Sequence, residues 1–147
     1  MIGRDAVDNI PMFVQQLDEP FLVAKRKNYS YIREQVANTF YDPLTATDEL
    51  VNAVFEIVGD NSKCLRIIKT SRKTQRSYVT DLLPKIKLPV LLIWGKEDSI
   101  TPPHVAEDFQ RMMPDSTLVY FSQCGHAPMM EKPHEFNMAL EEFVNGV

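Results

Sequence analysis

The sequence predicts an α/β protein in which a layer of helices is followed by a β–α–β–α unit with one parallel strand pair. Three observations carry this expectation. Residues up to Leu83 place apolar side chains at helical spacing and contain no convincing alternating strand. Beyond Pro84 two short apolar runs, Leu88–Trp94 and Ser116–Phe121, are rich in branched and aromatic residues and separated by a helical pattern. A helix joining consecutive strands brings the chain back in the same direction, which makes the pair parallel with a right-handed crossover. The expected division is therefore a helical region at 1–83 and an α/β region at 84–147.

In chain order, Asp5 to Leu17 carries Ile10, Phe13, Val14 and Leu17, with Pro11 either in a first turn or breaking the segment. Tyr31 to Phe40 repeats apolar positions at Ile32, Val36 and Phe40 and stops before the turn at Asp42-Pro43. Thr47 is a good N-cap, and Asp48 and Glu49 suit the positive end of the helix that follows. Leu50, Val51, Val54, Phe55 and Val58 form its apolar face, and Gly59 is expected to end it in a left-handed conformation. Another helix starts near Asn61 or Ser62 and runs through Leu65 and Ile68. Lys69, Arg72, Lys73 and Arg76 at helical spacing read as a solvated basic face.

The run Leu88–Trp94 is apolar at successive positions, so both its faces are expected to be buried. Gly95 ends it. Pro102-Pro103 opens a helix directing Val105, Phe109, Met112 and Met113 inward, and Pro114-Asp115 closes it. Ser116–Phe121 is the second strand, and Pro133–Val144 a final helix with Phe136, Leu140, Phe143 and Val144 on its buried side. Two strands make a poor sheet, because each leaves backbone groups unpaired at an edge. Further strands are expected from an N-terminal segment, a second copy of the chain in a homodimer paired through exposed strand edges, or a partner protein.

The 147 residues are 44% hydrophobic and 24% charged, a composition for a packed core. A net charge of −4 gives no reason to expect nucleic acid or an anionic membrane as partner. Cys64 and Cys124 are too few for a disulfide framework and suit free thiols in a reduced compartment. No apolar run is long enough to span a bilayer, and the first residues hold no secretory h-region, so the cytoplasm is the expected location. No metal or other cofactor is expected: His134-Glu135 begins like H-E-x-x-H, but Met138 stands at the second histidine's position.

The residues that carry chemistry lie after the two strands. Asp98 sits in the turn Gly95 to Pro103, and His126 in the loop Cys124-Gly125-His126-Ala127-Pro128. Parallel sheets build sites at the carboxyl ends of their strands. The two strands should thus deliver a carboxylate and an imidazole to one sheet edge. A carboxylate that accepts from one ring nitrogen fixes the tautomer and leaves the other nitrogen as a general base. Met129 and Met130 are expected to line an adjoining substrate pocket with adaptable thioethers, and Cys124 to be buried structure.

The runs LPVLLIWGKEDSITPP, CGHAPMMEKP and EFNMALEEFV resemble the last third of α/β-hydrolase fold enzymes. That resemblance implies that Asp98, in a G-x-x-D turn, is the triad acid and that His126, in a G-H loop, is the triad base. It also implies that the helical residues 1–83 are the cap or lid that many members insert ahead of these strands. The expected activity is hydrolysis of an ester or related acyl or carbon–carbon bond in a small-molecule substrate. None of the five glycines begins the G-x-S-x-G elbow of the family, and the oxyanion loop has no counterpart. The chain is therefore expected to be a C-terminal fragment without its nucleophile, inactive in isolation. The alternatives are a non-catalytic self-associating fragment, or part of a haloalkane dehalogenase or epoxide hydrolase with an aspartate nucleophile.

Overall fold

A computed structural model of the chain describes residues 27–74 and 80–146. The expected helix at Asp5–Leu17 and the basic position Arg76 lie outside the described residues. Two compact units are present, one holding residues 27–38 and 46–74, the other 39–45 and 80–146. Among the described residues no helix is long and apolar enough to cross a membrane.

The first unit contains α1 (Tyr29–Ala37), α2 (Asp48–Gly59) and α3 (Asn61–Thr74). The side chain of Asn28 accepts from Tyr31 N, which starts α1 two residues earlier than its apolar spacing predicts. The helix also ends earlier, so that Phe40 is a buried loop residue of the second unit. Thr47 caps α2 as expected, its Oγ1 accepting from Leu50 N. Gly59 does not end α2 in a left-handed turn, since no glycine among the described residues has a positive φ. Asp60 follows in extended geometry instead, and its carboxylate accepts from Ser62 N, Ser62 Oγ and Lys63 N at the start of α3. Those hydrogen bonds, the Ser62 hydroxyl's foremost, hold the Asp60 carboxyl below its ordinary range.

Ile32, Val51, Val58 and Cys64 supply the buried side chains of these helices. At the α1–α2 contact the Tyr29 ring meets Phe55 edge-on at 5.3 Å, its hydroxyl donates to Asn52 Oδ1, and Arg33 pairs with Asp48.

In the second unit β1 (Val90–Gly95) runs parallel to β2 (Ser116–Phe121), with Val90 opposite Ser116 and Gly95 opposite Phe121. β1 starts at Val90, whose N–H donates to Asp115 O; the preceding Pro89 has no N–H to contribute. The helix α4 (Pro103–Met112) connects the strands and packs on both. Trp94 stacks obliquely on Phe109, and the Tyr120 hydroxyl donates to Pro103 O, so α4 covers the sheet face carrying Trp94 and Tyr120. Val105, Ala106 and Met113 are buried there.

The opposite face faces α6 (Pro133–Gly146), which follows the single turn α5 (Pro128–Glu131). An open groove of about 640 Å³ remains on that side, lined by Leu91, Thr117 and Val119 of the strands and by Ala139 and Phe143 of α6. The expectation of fully buried strands is corrected accordingly: Val90 to Trp94 are only half-buried. No residue of α6 is buried, and Leu140 and Val144 are exposed rather than inward. The reason is the same for both, since two strands give a helix too little surface to cover.

Candidate active site

Asp98 follows β1 in a turn that its own side chain closes. Its Oδ1 accepts from Ile100 N at 2.9 Å and Thr101 N at 2.8 Å, an Asx-type turn that leaves Oδ2 facing the other strand end. Trp94 Nε1 donates to Thr101 O at 2.8 Å and ties the far side of the turn to β1. Asp98 is only 5% exposed, a burial a carboxylate tolerates when its oxygens accept hydrogen bonds.

His126 follows β2, and its Nδ1 stands 2.9 Å from Asp98 Oδ2. A carboxylate only accepts, so Nδ1 carries the proton and donates it, and the neutral ring keeps its lone pair on Nε2. The imidazole side chain is 41% exposed, within reach of a ligand. The hydrogen bond from Nδ1 to Asp98 raises the His126 pKa above the ordinary imidazole value, and partial burial opposes it only in part. The sequence-predicted pair is thus brought together at the carboxyl ends of adjacent strands.

Backbone packing holds the two loops in register. Lys96 N donates to Phe121 O, continuing the ladder past β1, and Glu97 N donates to Cys124 O. A Cβ on Gly95 would sit 2.1 Å from Gly125 O and 2.2 Å from Cys124 O, so only glycine lets the strand end approach the histidine loop. Its value is close approach, since no glycine among the described residues has a positive φ. Gly125 is squeezed in the same way, its Cβ position lying 2.8 Å from Tyr41 N and 2.9 Å from Thr39 O. The left-handed backbone in this loop belongs to Gln123, at φ 54°.

Two carboxylates complete the frame. Glu97 Oε2 accepts from Cys124 N at 3.0 Å. Glu131, at the end of α5, accepts from Gly125 N through Oε1 and from Tyr41 N through Oε2, each at 2.7 Å. His126 N itself donates to Thr39 O at 2.9 Å. Sequence reasoning missed Glu97, Glu131 and the Thr39–Tyr41 segment. Their roles depend on contacts 27 and 90 residues apart, for which local spacing holds no signal.

The remaining candidates fall around this centre. Met129 and Met130 lie on α5 and are 52% and 46% exposed. Cys124 is fully buried, and burial followed by the nearby Glu131 charge pushes its thiol up to about 12, so it is a neutral packing residue. His104 and His134 are exposed in the first turns of α4 and α6.

The alpha/beta hydrolase fold family model matches residues 13–133. A 2-hydroxy-6-oxononadienedioate/2-hydroxy-6-oxononatrienedioate hydrolase from a Pseudomonas species is 31% identical over 115 residues, covering 77% of this chain and 41% of that enzyme. A pimeloyl-(acyl-carrier protein) methyl ester esterase of Neisseria meningitidis serogroup A is 38% identical over 73 residues, 50% of this chain and 23% of the esterase. The crystal structure of MGS-MChE2, an alpha/beta hydrolase enzyme from the metagenome of lagoon sediments at Mar Chica, Morocco, superposes with a TM-score of 0.61. It is 43% identical and is covered over 67% of this chain and 45% of its own. The chain spans less than half the length of each of these relatives.

Proposed function

The chain belongs to the α/β-hydrolase fold family, and from that premise we propose that it supplies the acid and base of a nucleophile–histidine–acid triad. The reaction is hydrolysis of an ester or a related acyl or carbon–carbon bond. The observation that carries this reading is the 2.9 Å contact between His126 Nδ1 and Asp98 Oδ2 at neighbouring strand ends. Residues 1–83 belong to the helical cap region that family members insert ahead of these strands, and Met129 and Met130, exposed on α5, border the substrate. No G-x-S-x-G run occurs in the 147 residues, so the nucleophile and the oxyanion donors come from polypeptide outside them.

In this mechanism His126 Nε2 takes the proton of the nucleophile's hydroxyl as that oxygen attacks the substrate carbonyl. The imidazolium is stabilised by Asp98, which accepts from Nδ1–H throughout and keeps its charge. Nε2 then returns the proton to the leaving group. In the second half a water loses its proton to the same nitrogen and attacks the acyl–enzyme, and Nε2–H returns that proton to the nucleophile's oxygen as the acid is released. The named relatives act on dienedioates and on a methyl ester, which favours a carbon–carbon or ester substrate over an epoxide or haloalkane.

The test is kinetic, in the hydrolase assembled with its elbow. Asp98→Asn should lower kcat by roughly 10⁴-fold, the size expected when the histidine loses its correct tautomer. A loss of less than about tenfold would move the acid role to another residue.

A further inference from the structure

The histidine loop is held from outside by one side chain whose geometry exceeds what a surface carboxylate needs. Glu131 bridges two backbone amides, Gly125 N and Tyr41 N, at 2.7 Å each. One amide immediately precedes His126. The other follows Phe40, a buried residue next to Thr39, whose carbonyl accepts from His126 N. The Thr39–Tyr41 segment lies against Gly125 with no room for a Cβ between the backbones. Glu131 is fixed in turn by the single turn of α5, in which Met130 N and Glu131 N both donate to Ala127 O.

We infer that Glu131 is a positioning residue for His126, clamping the histidine loop to the Thr39–Tyr41 segment so that the imidazole meets Asp98. The inference rests on the triad reading for its catalytic meaning and on the hydrogen bonds for its geometry. Only a carboxylate fits the clamp, because it alone presents two acceptor oxygens to two N–H donors. A glutamine would turn its NH₂ toward one of those amides, and an aspartate is one methylene short. The Glu131 charge is not the agent acting on His126, whose upward shift comes from Asp98 against the opposing effect of burial. The effect is transmitted through where the loop sits.

The test is an NMR titration of the 147-residue chain, following the His126 Cε1 proton and the downfield Nδ1 proton. In Glu131→Gln and Glu131→Ala the His126 midpoint should fall toward the ordinary imidazole value of about 6.5, and the Nδ1 resonance should broaden or vanish. Asp98→Asn is the reference for a fully lost contact. Folded Glu131 variants that keep the wild-type midpoint and resonance would overturn the inference. An unmoved midpoint in Asp98→Asn would instead overturn the acid–base pair. Should both Glu131 variants fail to fold, the wild-type amides decide. The Gly125 and Tyr41 amide protons should exchange with solvent slowly and together, and fast or independent exchange would contradict the clamp.

Discussion

Asp98 divides its two oxygens between structure and chemistry. Oδ1 closes the turn through Ile100 N and Thr101 N, while Oδ2 accepts from the His126 ring. A turn-forming aspartate and a histidine's carboxylate partner are usually competing explanations of one residue, and here the turn aims Oδ2 at the imidazole. The pH behaviour follows from the raised His126 pKa. Catalysis needs the neutral ring, so kcat/KM of the assembled hydrolase should rise with pH through a midpoint above that of free imidazole. Asp98→Asn should move that limb downward, which pH-rate profiles of the two proteins check. Stability runs in the opposite direction. The folded state binds the His126 proton more tightly than the unfolded state, so the added stability is complete below about pH 6.5 and lost as pH rises through the folded midpoint. Urea midpoints of wild type and His126→Ala should therefore converge as pH is raised through that midpoint. The meeting of the two side chains was legible in the sequence because strand ends, a Gly-x-x-Asp turn and a Gly-His loop are local patterns. Glu131 was not, because nothing near it in sequence announces Tyr41 as its second partner.

At the scale of elements, the strand ends and the loops beyond them approach each other closely at Gly95 and Gly125. The second strand was readable to the residue, since Ser116–Phe121 is bounded by Pro114-Asp115 and by the polar Ser122-Gln123. The first was shortened by Pro89, and the start of α1 was set by a hydrogen bond from Tyr31 N to the Asn28 side chain that apolar periodicity does not contain. Gly95 provides the test. Its missing Cβ would meet two backbone oxygens that cannot swing aside, so Gly95→Ala should destabilise by roughly 1–3 kcal/mol or more. Gly59→Ala, with nothing within 4 Å at the end of α2, should instead stabilise by about 0.5–1 kcal/mol. Chemical denaturation of the two variants beside wild type checks both signs, and equal effects would show that Gly95 does not mark a close approach.

For the molecule as a whole, the two half-buried strands and the exposed apolar residues of α6 are one problem, an α/β layer with too few strands to cover its helices. The sequence announced the shortage by supplying two strand patterns. It could not announce how far the strands and α6 would stay open, because burial depends on what packs against them. We propose that purified chain self-associates to cover these surfaces. Sedimentation velocity at micromolar concentration should then detect dimers or larger species, and a stable folded monomer would contradict this. We propose that Asp98 and His126 serve a nucleophile held outside these residues. The most direct test is turnover of a small aryl ester by the chain alone and by the chain assembled with the elbow-bearing half of an α/β-hydrolase. The chain alone should show background rates, and the assembly should show turnover that His126→Ala abolishes. Robust turnover by the chain alone that disappears in His126→Ala, or an active assembly indifferent to that substitution, would contradict this proposal.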